Sequence, residues 1–319
     1  VKRIGVLGAG EHSSLHCAAL KAVKMQDPER LELSAICSRN DARAQEFQKR
    51  FGFIRSYTDV EKMISAERLD GLILMTPEDR NAEIAQTLLP CGVPLLIEKP
   101  PGMSSNEARS LLLEIQKRGI KHMTSYNRRF SPAFQKALNW IEEDPTKRRP
   151  VYMLTRMLRH QRLETYFVKG TAIHMFDPVL LLLGEVSRVD TVVASAASKR
   201  CRHFYPGVHF REGGYAEFVI APDAGIVEES YEIHGPNYRI FVDVWRCRVS
   251  IAVNDSVVLE WGSPEGSLRE YHDGTINETL AFLSLLEDET ITIPTVATGA
   301  AGLRLAEAIE TGGIVELDR

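Results

Sequence analysis

The chain has 319 residues, 44% of them hydrophobic and 26% charged, a globular composition that excludes a disordered tail, a collagen-like fibre and a coiled coil. Its 39 basic side chains stand against 43 acidic ones, a formal net charge of -4, which leaves no electrostatic footprint for nucleic acid or an anionic membrane. At ~100–200 residues per domain, this length suggests two domains.

The five cysteines (Cys17, Cys37, Cys91, Cys201 and Cys247) include no C-x-x-C pair. That suits thiols in a reducing cytoplasm rather than a disulfide framework or a zinc site, and no metal centre is expected. The longest apolar runs, such as residues 179–183, fall far short of the ~20 residues that span a bilayer. The N-terminus enters a strand directly at Lys2–Leu7 with no visible signal peptide, so a cytoplasmic location is the expectation.

In chain order, the apolar run at 4–7 ends at Gly8. Residues 12–25 then predict a helix, with Leu15, Ala18, Ala19, Ala22 and Met25 at helical spacing. A strand follows at 33–37, then a helix over Asp41–Phe51 with Asn40 as its N-cap. Further apolar runs at 71–75 and 93–97 are each followed by a helical pattern, at 81–89 and 106–117, and 120–124 closes the series. Runs that are apolar throughout suit strands covered on both faces, and repeated strand–helix units imply a parallel, doubly wound sheet.

The pattern changes near Tyr126. Strands are predicted at 151–158, 189–197, 216–221, 227–234, 238–245, 249–253 and 257–261, with helices at Pro132–Glu142, 175–183, 277–286 and 300–311. Ile240, Val242 and Val244 alternate with Phe241, Asp243 and Trp245, as in an antiparallel sheet with two unlike faces. Residues 200–214 read as a long basic and aromatic loop. The expected domains are therefore 1–124, binding a dinucleotide, and 125–319, binding substrate and mediating oligomerisation.

The first strand runs into Gly8-Ala9-Gly10-Glu11-His12-Ser13. Gly8 permits a tight turn, Gly10 lets the backbone approach a pyrophosphate, and the following helix offers free N–H groups and a positive dipole end. The usual third glycine is Ser13, so the fingerprint is incomplete. Its place between a buried strand and a helix inside a βαβ series nevertheless points to dinucleotide binding. The second strand ends at Cys37-Ser38-Arg39-Asn40, without the acid that would bind the ribose hydroxyls of NAD. A hydroxyl followed by an arginine suits a 2′-phosphate, which predicts a preference for NADP over NAD. The alternative is that Arg39 is a solvated surface residue.

Met75-Thr76-Pro77 and Ile97-Glu98-Lys99-Pro100, spaced as they are after a Gly-rich turn, resemble the Gfo/Idh/MocA family, named for glucose–fructose oxidoreductase, inositol dehydrogenase and a rhizopine-catabolism protein. The resemblance extends over the whole chain. It includes Tyr126-Asn127-Arg128-Arg129-Phe130, the segment from Gly170 through His174 to Asp177, and Ile291-Thr292-Ile293-Pro294. It implies an α/β protein with an N-terminal Rossmann sheet and a C-terminal α/β domain carrying a large, mostly antiparallel open sheet. The implied reaction is hydride transfer between a nicotinamide and a carbinol of a sugar, polyol or sugar acid. Lys99 matches the catalytic lysine, which would hydrogen-bond the reacting oxygen and stabilise negative charge there. The resemblance also implies a cis peptide at Lys99–Pro100.

His174 matches the general acid/base, and an imidazole with an unperturbed pKa of about 6.5 suits that task. Asp177 matches an acidic position three residues on, where it could orient His174 or hold a substrate hydroxyl. Gly8, Gly10, Glu11, His12, Ser38, Arg39, Thr76, Pro77, Asn81, Glu98 and Lys99 are the expected cofactor contacts. Tyr126, Arg128, Arg156 and Asp177 are the expected substrate contacts. Arg128, Arg129, Arg156, Arg159, His160 and Arg162, with Lys199, Arg200, Arg202 and His203, would suit a carboxylated or phosphorylated sugar, unless they lie on solvated faces.

The sequence departs from the family pattern where Gly170 replaces an aspartate and Asn81 a histidine. Two alternatives therefore stand beside the dehydrogenase reading. One is an enzyme of the same family that cleaves glycosides through transient oxidation; the other is a non-catalytic cofactor sensor. An open sheet with an apolar face further implies a homo-dimer or homo-tetramer.

Overall fold

The structure, a computed structural model, describes residues 1–195 and 201–318. Strands β1 (Lys2–Leu7), β2 (Leu31–Cys37), β3 (Arg55–Tyr57), β4 (Gly71–Leu74), β5 (Leu95–Ile97) and β6 (His122–Thr124) form a sheet in the order β3-β2-β1-β4-β5-β6. Every neighbouring pair is parallel. Helices α1 (Glu11–Gln26), α2 (Asp41–Phe51), α3 (Val60–Glu67), α4 (Asn81–Leu88) and α5 (Ser105–Arg118) connect them. Ile4, Val6, Leu72, Ile73, Leu74 and Leu96 are fully buried, which explains why these strands are apolar without alternation. Asn40 caps α2, its Oδ1 accepting from the Arg43 N–H at 3.1 Å. The order of the sheet reverses between β1 and β4, and open α/β sheets bind ligands beyond the carboxyl ends of the strands at such a switch point.

The chain continues through α6 (Pro132–Glu142), β7 (Tyr152–Leu158), α7 (Ile173–Leu183) and the strands β8 (Val186–Ser195), β9 (Arg202–Phe210), β10 (Tyr215–Ala221), β11 (Glu228–Gly235), β12 (Tyr238–Asp243), β13 (Arg248–Val253) and β14 (Ser256–Gly262). It ends with α8 (Arg269–His272), α9 (Thr275–Leu286), α10 (Val296–Thr311) and β15 (Gly313–Glu316). The second sheet runs β14-β13-β12-β11-β7-β10-β9-β8-β15, antiparallel except for the parallel pair β7 and β10. Helices α6 and α7 pack on one face, where Phe134 meets Tyr231 at 5.6 Å between ring centres and Phe176 meets Phe218 at 5.5 Å. Tyr152, Leu154, Arg156 and Leu158 line the other face and are half-buried.

Two expectations are corrected. The stretch 200–214 is not a loop from 202 onward: β9 pairs with β8 and β10, burying Phe204, Pro206, Val208 and Phe210 on alternate positions. Pro206 and Gly207 in the middle of the run hide that alternation from a propensity reading. Residues 196 and 197 of the expected strand, with Lys199 and Arg200, lie outside the described residues.

The second correction concerns domain composition. One compact unit consists of Val1–Tyr126 with Thr275–Ala300, the other of Asn127–Gly274 with the residues from 301 onward. The stretch 275–300, expected in the second domain, thus returns to the first. Helix α9 packs on α1, Ser125 donates to Glu278 at 3.0 Å, and Arg30 pairs with Glu287 at 3.0 Å. A helical pattern shows that one face is apolar but not which neighbour covers it. Among the described residues no helix is long and apolar enough to cross a membrane.

Candidate functional site

The chain leaves β1 through Gly8, whose φ of +119° belongs to glycine. A Cβ there would lie 2.1 Å from the Met75 carbonyl oxygen, so the turn admits no side chain. Gly10 caps α1 in an extended conformation, and a Cβ on it would meet nothing nearer than Ser13 Oγ at 4.0 Å. It would stand in open space, the kind of cradle a diphosphate fills. Ser13, in place of the third glycine, is buried and its hydroxyl accepts from the Gly10 N–H at 3.2 Å.

Beyond the carboxyl ends of β1, β2, β4 and β5 lies a cavity of about 910 Å³. Its wall holds Gly8, Gly10, Glu11 and His12 from the first turn, Ser38 and Arg39 after β2, Thr76 and Pro77 after β4, and Glu98 and Lys99 after β5. All the expected cofactor contacts are therefore brought together except Asn81. That side chain is fully buried and donates to the carbonyls of Glu98 and Pro100, both at 3.0 Å, while its oxygen accepts from the Thr76 hydroxyl. It braces the loop after β5 and does not face the cavity. Arg43 and Glu78 also line the wall, although neither was singled out in the sequence, and so does Asn40, expected there only as the N-cap of α2. The positions of Arg43 in the first turn of α2 and of Glu78 directly after the Thr76-Pro77 pair were the available signals.

Lys99 is 5% exposed, and the peptide between it and Pro100 is cis, as the family resemblance implied. Its Nζ stands 3.4 Å from Glu78 Oε1 and 3.8 Å from Glu98 Oε1. The other oxygen of Glu98 lies 3.5 Å from Nε2 of His16, a buried residue of α1 that the sequence reading passed over. Burial pushes the Glu98 carboxyl up. The His16 hydrogen bond and the charges of Lys99 and the two histidines outweigh it, and the group stays below its usual range.

In the second unit, His174 is half-buried in the first turn of α7, entered through a wide π-helical turn at Phe167–Ala172 that contains Gly170. Asp177, expected to orient His174 or to hold substrate, is 2% exposed and has both oxygens on Arg129, at 2.9 and 2.5 Å. Arg128, expected on substrate, is buried and grips Glu229 at 2.5 and 3.2 Å. Arg159 reaches the same carboxylate at 2.6 Å. Burial pushes Glu229 up, but the two guanidinium groups pull harder and hold it below the carboxylate range.

Arg156 points to the face of the sheet opposite α7, so it is not brought together with His174. Tyr126 is 1% exposed and does not line the cavity. Arg162 pairs with Glu164, and Arg202 donates to the Glu310 carbonyl. Much of the basic cluster is thus spent on the protein's own acceptors.

Residues 2–126 match the family profile described as "Oxidoreductase family, NAD-binding Rossmann fold", Gfo/Idh/MocA. That match covers the first nucleotide-binding part of the chain, residues 2–126 of 319. Inositol 2-dehydrogenase of Rhizobium meliloti is 23% identical, with 96% of this chain and 95% of that protein aligned. Levoglucosan dehydrogenase of Pseudarthrobacter phenanthrenivorans is 26% identical over 62% of this chain. The chain spans about half the length of several curated relatives it matches, 55% in that case. In three dimensions, a levoglucosan dehydrogenase solved in complex with NADH superposes with a TM-score of 0.86 at 20% identity, covering 100% of this chain and 99% of that one. At that identity the likeness shows the fold alone, both sheets included.

Proposed function

We propose that this protein is a nicotinamide-dependent oxidoreductase that interconverts a CH–OH group and a carbonyl on a sugar or polyol, the class to which its inositol and levoglucosan dehydrogenase relatives belong by name. The observation that carries the reading is the buried Lys99 ammonium at the wall of a cavity that opens at the β1/β4 switch point. The residues present fit the cofactor. Gly8 permits the tight turn against Met75, Gly10 leaves room for the diphosphate, and the sixteen-residue α1 aims its N-terminus at it. The bound nicotinamide supplies the hydride acceptor or donor.

Lys99 donates a hydrogen bond to the substrate oxygen and stabilises the charge that grows there as the C–H bond breaks. His174 takes the hydroxyl proton in the oxidative direction and returns it in the reductive one. Asp177 and Arg129 fix the helix that carries His174 and do not touch substrate. Ser38 and Arg39, joined by Asn40 and Arg43 on the wall, favour the 2′-phosphate of NADP. A sugar acid loses ground as substrate, because Arg128, Arg129 and Arg159 are already paired with buried carboxylates. Self-association through the half-exposed sheet face belongs to the same reading.

Titrating the purified protein with NADH and NADPH tests the first step, with tighter NADPH binding expected. A panel of myo-inositol, levoglucosan and neutral hexoses, followed by NAD(P)H absorbance, tests the second. Failure to bind either nucleotide overturns the proposal. Binding without turnover on any member of the panel favours the sensor alternative.

A further inference from the structure

The charges around Lys99 are arranged as a chain. His16 Nε2 is 3.5 Å from one oxygen of Glu98, and the second oxygen of the same carboxylate is 3.8 Å from Lys99 Nζ. The three side chains come from α1 and from the end of β5, and all three are less than a tenth exposed. A buried amine favours its neutral form, and only nearby anions keep it protonated. Glu78 and Glu98 both face Lys99. Glu78, from the turn after β4, has a side chain 39% exposed and is well screened, whereas that of Glu98 is 11% exposed and acts at nearly full strength. Glu98 is held in turn by α1, with His16 on its far oxygen and His12 contributing through charge. His16 meets the carboxylate adjacent in sequence to Lys99.

We infer that His16 is a positioning residue: by hydrogen-bonding Glu98 it fixes the carboxylate that keeps Lys99 an ammonium aimed into the cavity. The inference rests on the proposed role of Lys99 and adds the device that sets its protonation. The chain works in one direction. With His16 gone, Glu98 turns away or takes up a proton, Lys99 loses its best-placed anion, and the amine gives up its proton at lower pH.

The test is competitive labelling of amines with acetic anhydride across a pH series, with Lys99 modification read by peptide mass spectrometry. His16→Leu is expected to lower the Lys99 titration midpoint by about one pH unit. The alkaline limb of kcat with myo-inositol as the probe moves down equally, while nucleotide affinity stays within about twofold. His16→Gln, which keeps an N–H donor, restores part of the shift.

A Lys99 midpoint that stays at the parent value in folded His16→Leu overturns the inference. Should that variant fail to fold, Glu98→Gln replaces it: it keeps the side chain's size and removes the charge, and an unmoved midpoint there overturns the inference equally. Lys99→Ala separates the two levels. If it turns over substrate like the parent, the catalytic reading of Lys99 falls. If it is inactive while His16→Leu leaves the midpoint unchanged, only the inference falls.

Discussion

In the second unit Arg129 and Asp177 meet at 2.9 and 2.5 Å, and Arg128 and Arg159 close on Glu229 at 2.5 and 2.6 Å. In the first unit Lys99 stands 3.4 Å from Glu78 and 3.8 Å from Glu98, beside open space. Both regions bury charge, but in different ways. Tight bidentate pairs commit two of a guanidinium's N–H groups to the protein's own carboxylate and serve to lock elements together. An ammonium held by long contacts at a cavity wall keeps directions in which it can bond a substrate. Contact length and the neighbouring void, more than burial itself, separate charge used for architecture from charge available for chemistry.

The comparison breaks most readily at Asp177. Asp177→Asn leaves Arg129 buried without its counter-charge and is expected to cost about 3–5 kcal/mol of stability, measured by urea unfolding. If Asp177 instead acts on substrate, the variant unfolds near the parent midpoint and loses turnover. Lys99→Met is the mirror case. It is expected to lower kcat by ~10²–10³-fold while changing unfolding stability by no more than about 1–2 kcal/mol. A large stability loss with intact kcat would place Lys99 among the architectural charges.

Arg39→Ala is expected to weaken NADPH by about tenfold or more and NADH only slightly, as read by fluorescence titration. Equal losses for the two nucleotides would remove the 2′-phosphate from the argument. The smallest effect concerns Glu232 on the half-exposed sheet face. The hydrogen bond from Arg239 lowers its pKa first, burial opposes this, and the His234 contact helps to bring the group down to about 2. A depressed carboxylate stabilises the fold above its unfolded pKa, and that contribution is lost as the pH falls toward 2. Glu232→Gln should therefore flatten the acid limb of stability against pH below about 4.5, in thermal melts.

The sequence made the parallel sheet and its turn legible because strands buried on both faces must be apolar throughout, and because Gly8 and Gly10 have few other uses between a strand and a helix. Strand β3 escaped because it is only the three residues Arg55–Tyr57, and β15 because its four residues are mostly exposed. Most residues of the cavity wall were legible in the sequence, since they follow directly on strand ends. The substrate side was not. Asp177 and Arg128 carry suitable charges, but their partners lie 48 and 101 residues away, and nothing local announces them. Asn81 misled for a related reason: an amide beside a Thr-Pro turn reads as a ligand contact until the carbonyls of Glu98 and Pro100 are found beside it.

The return of residues 275–300 to the first unit bears on how this protein can be dissected. A fragment ending at Tyr126 would strip the cover from Gly71, whose hydrogens lie against Phe282 and Leu286, and would leave the backbone N–H of Thr124 without the Pro294 carbonyl it bonds at 2.9 Å. Chimeras that exchange nucleotide-binding halves between relatives must therefore transplant two pieces of chain, because a cut at residue 126 leaves that apolar surface bare.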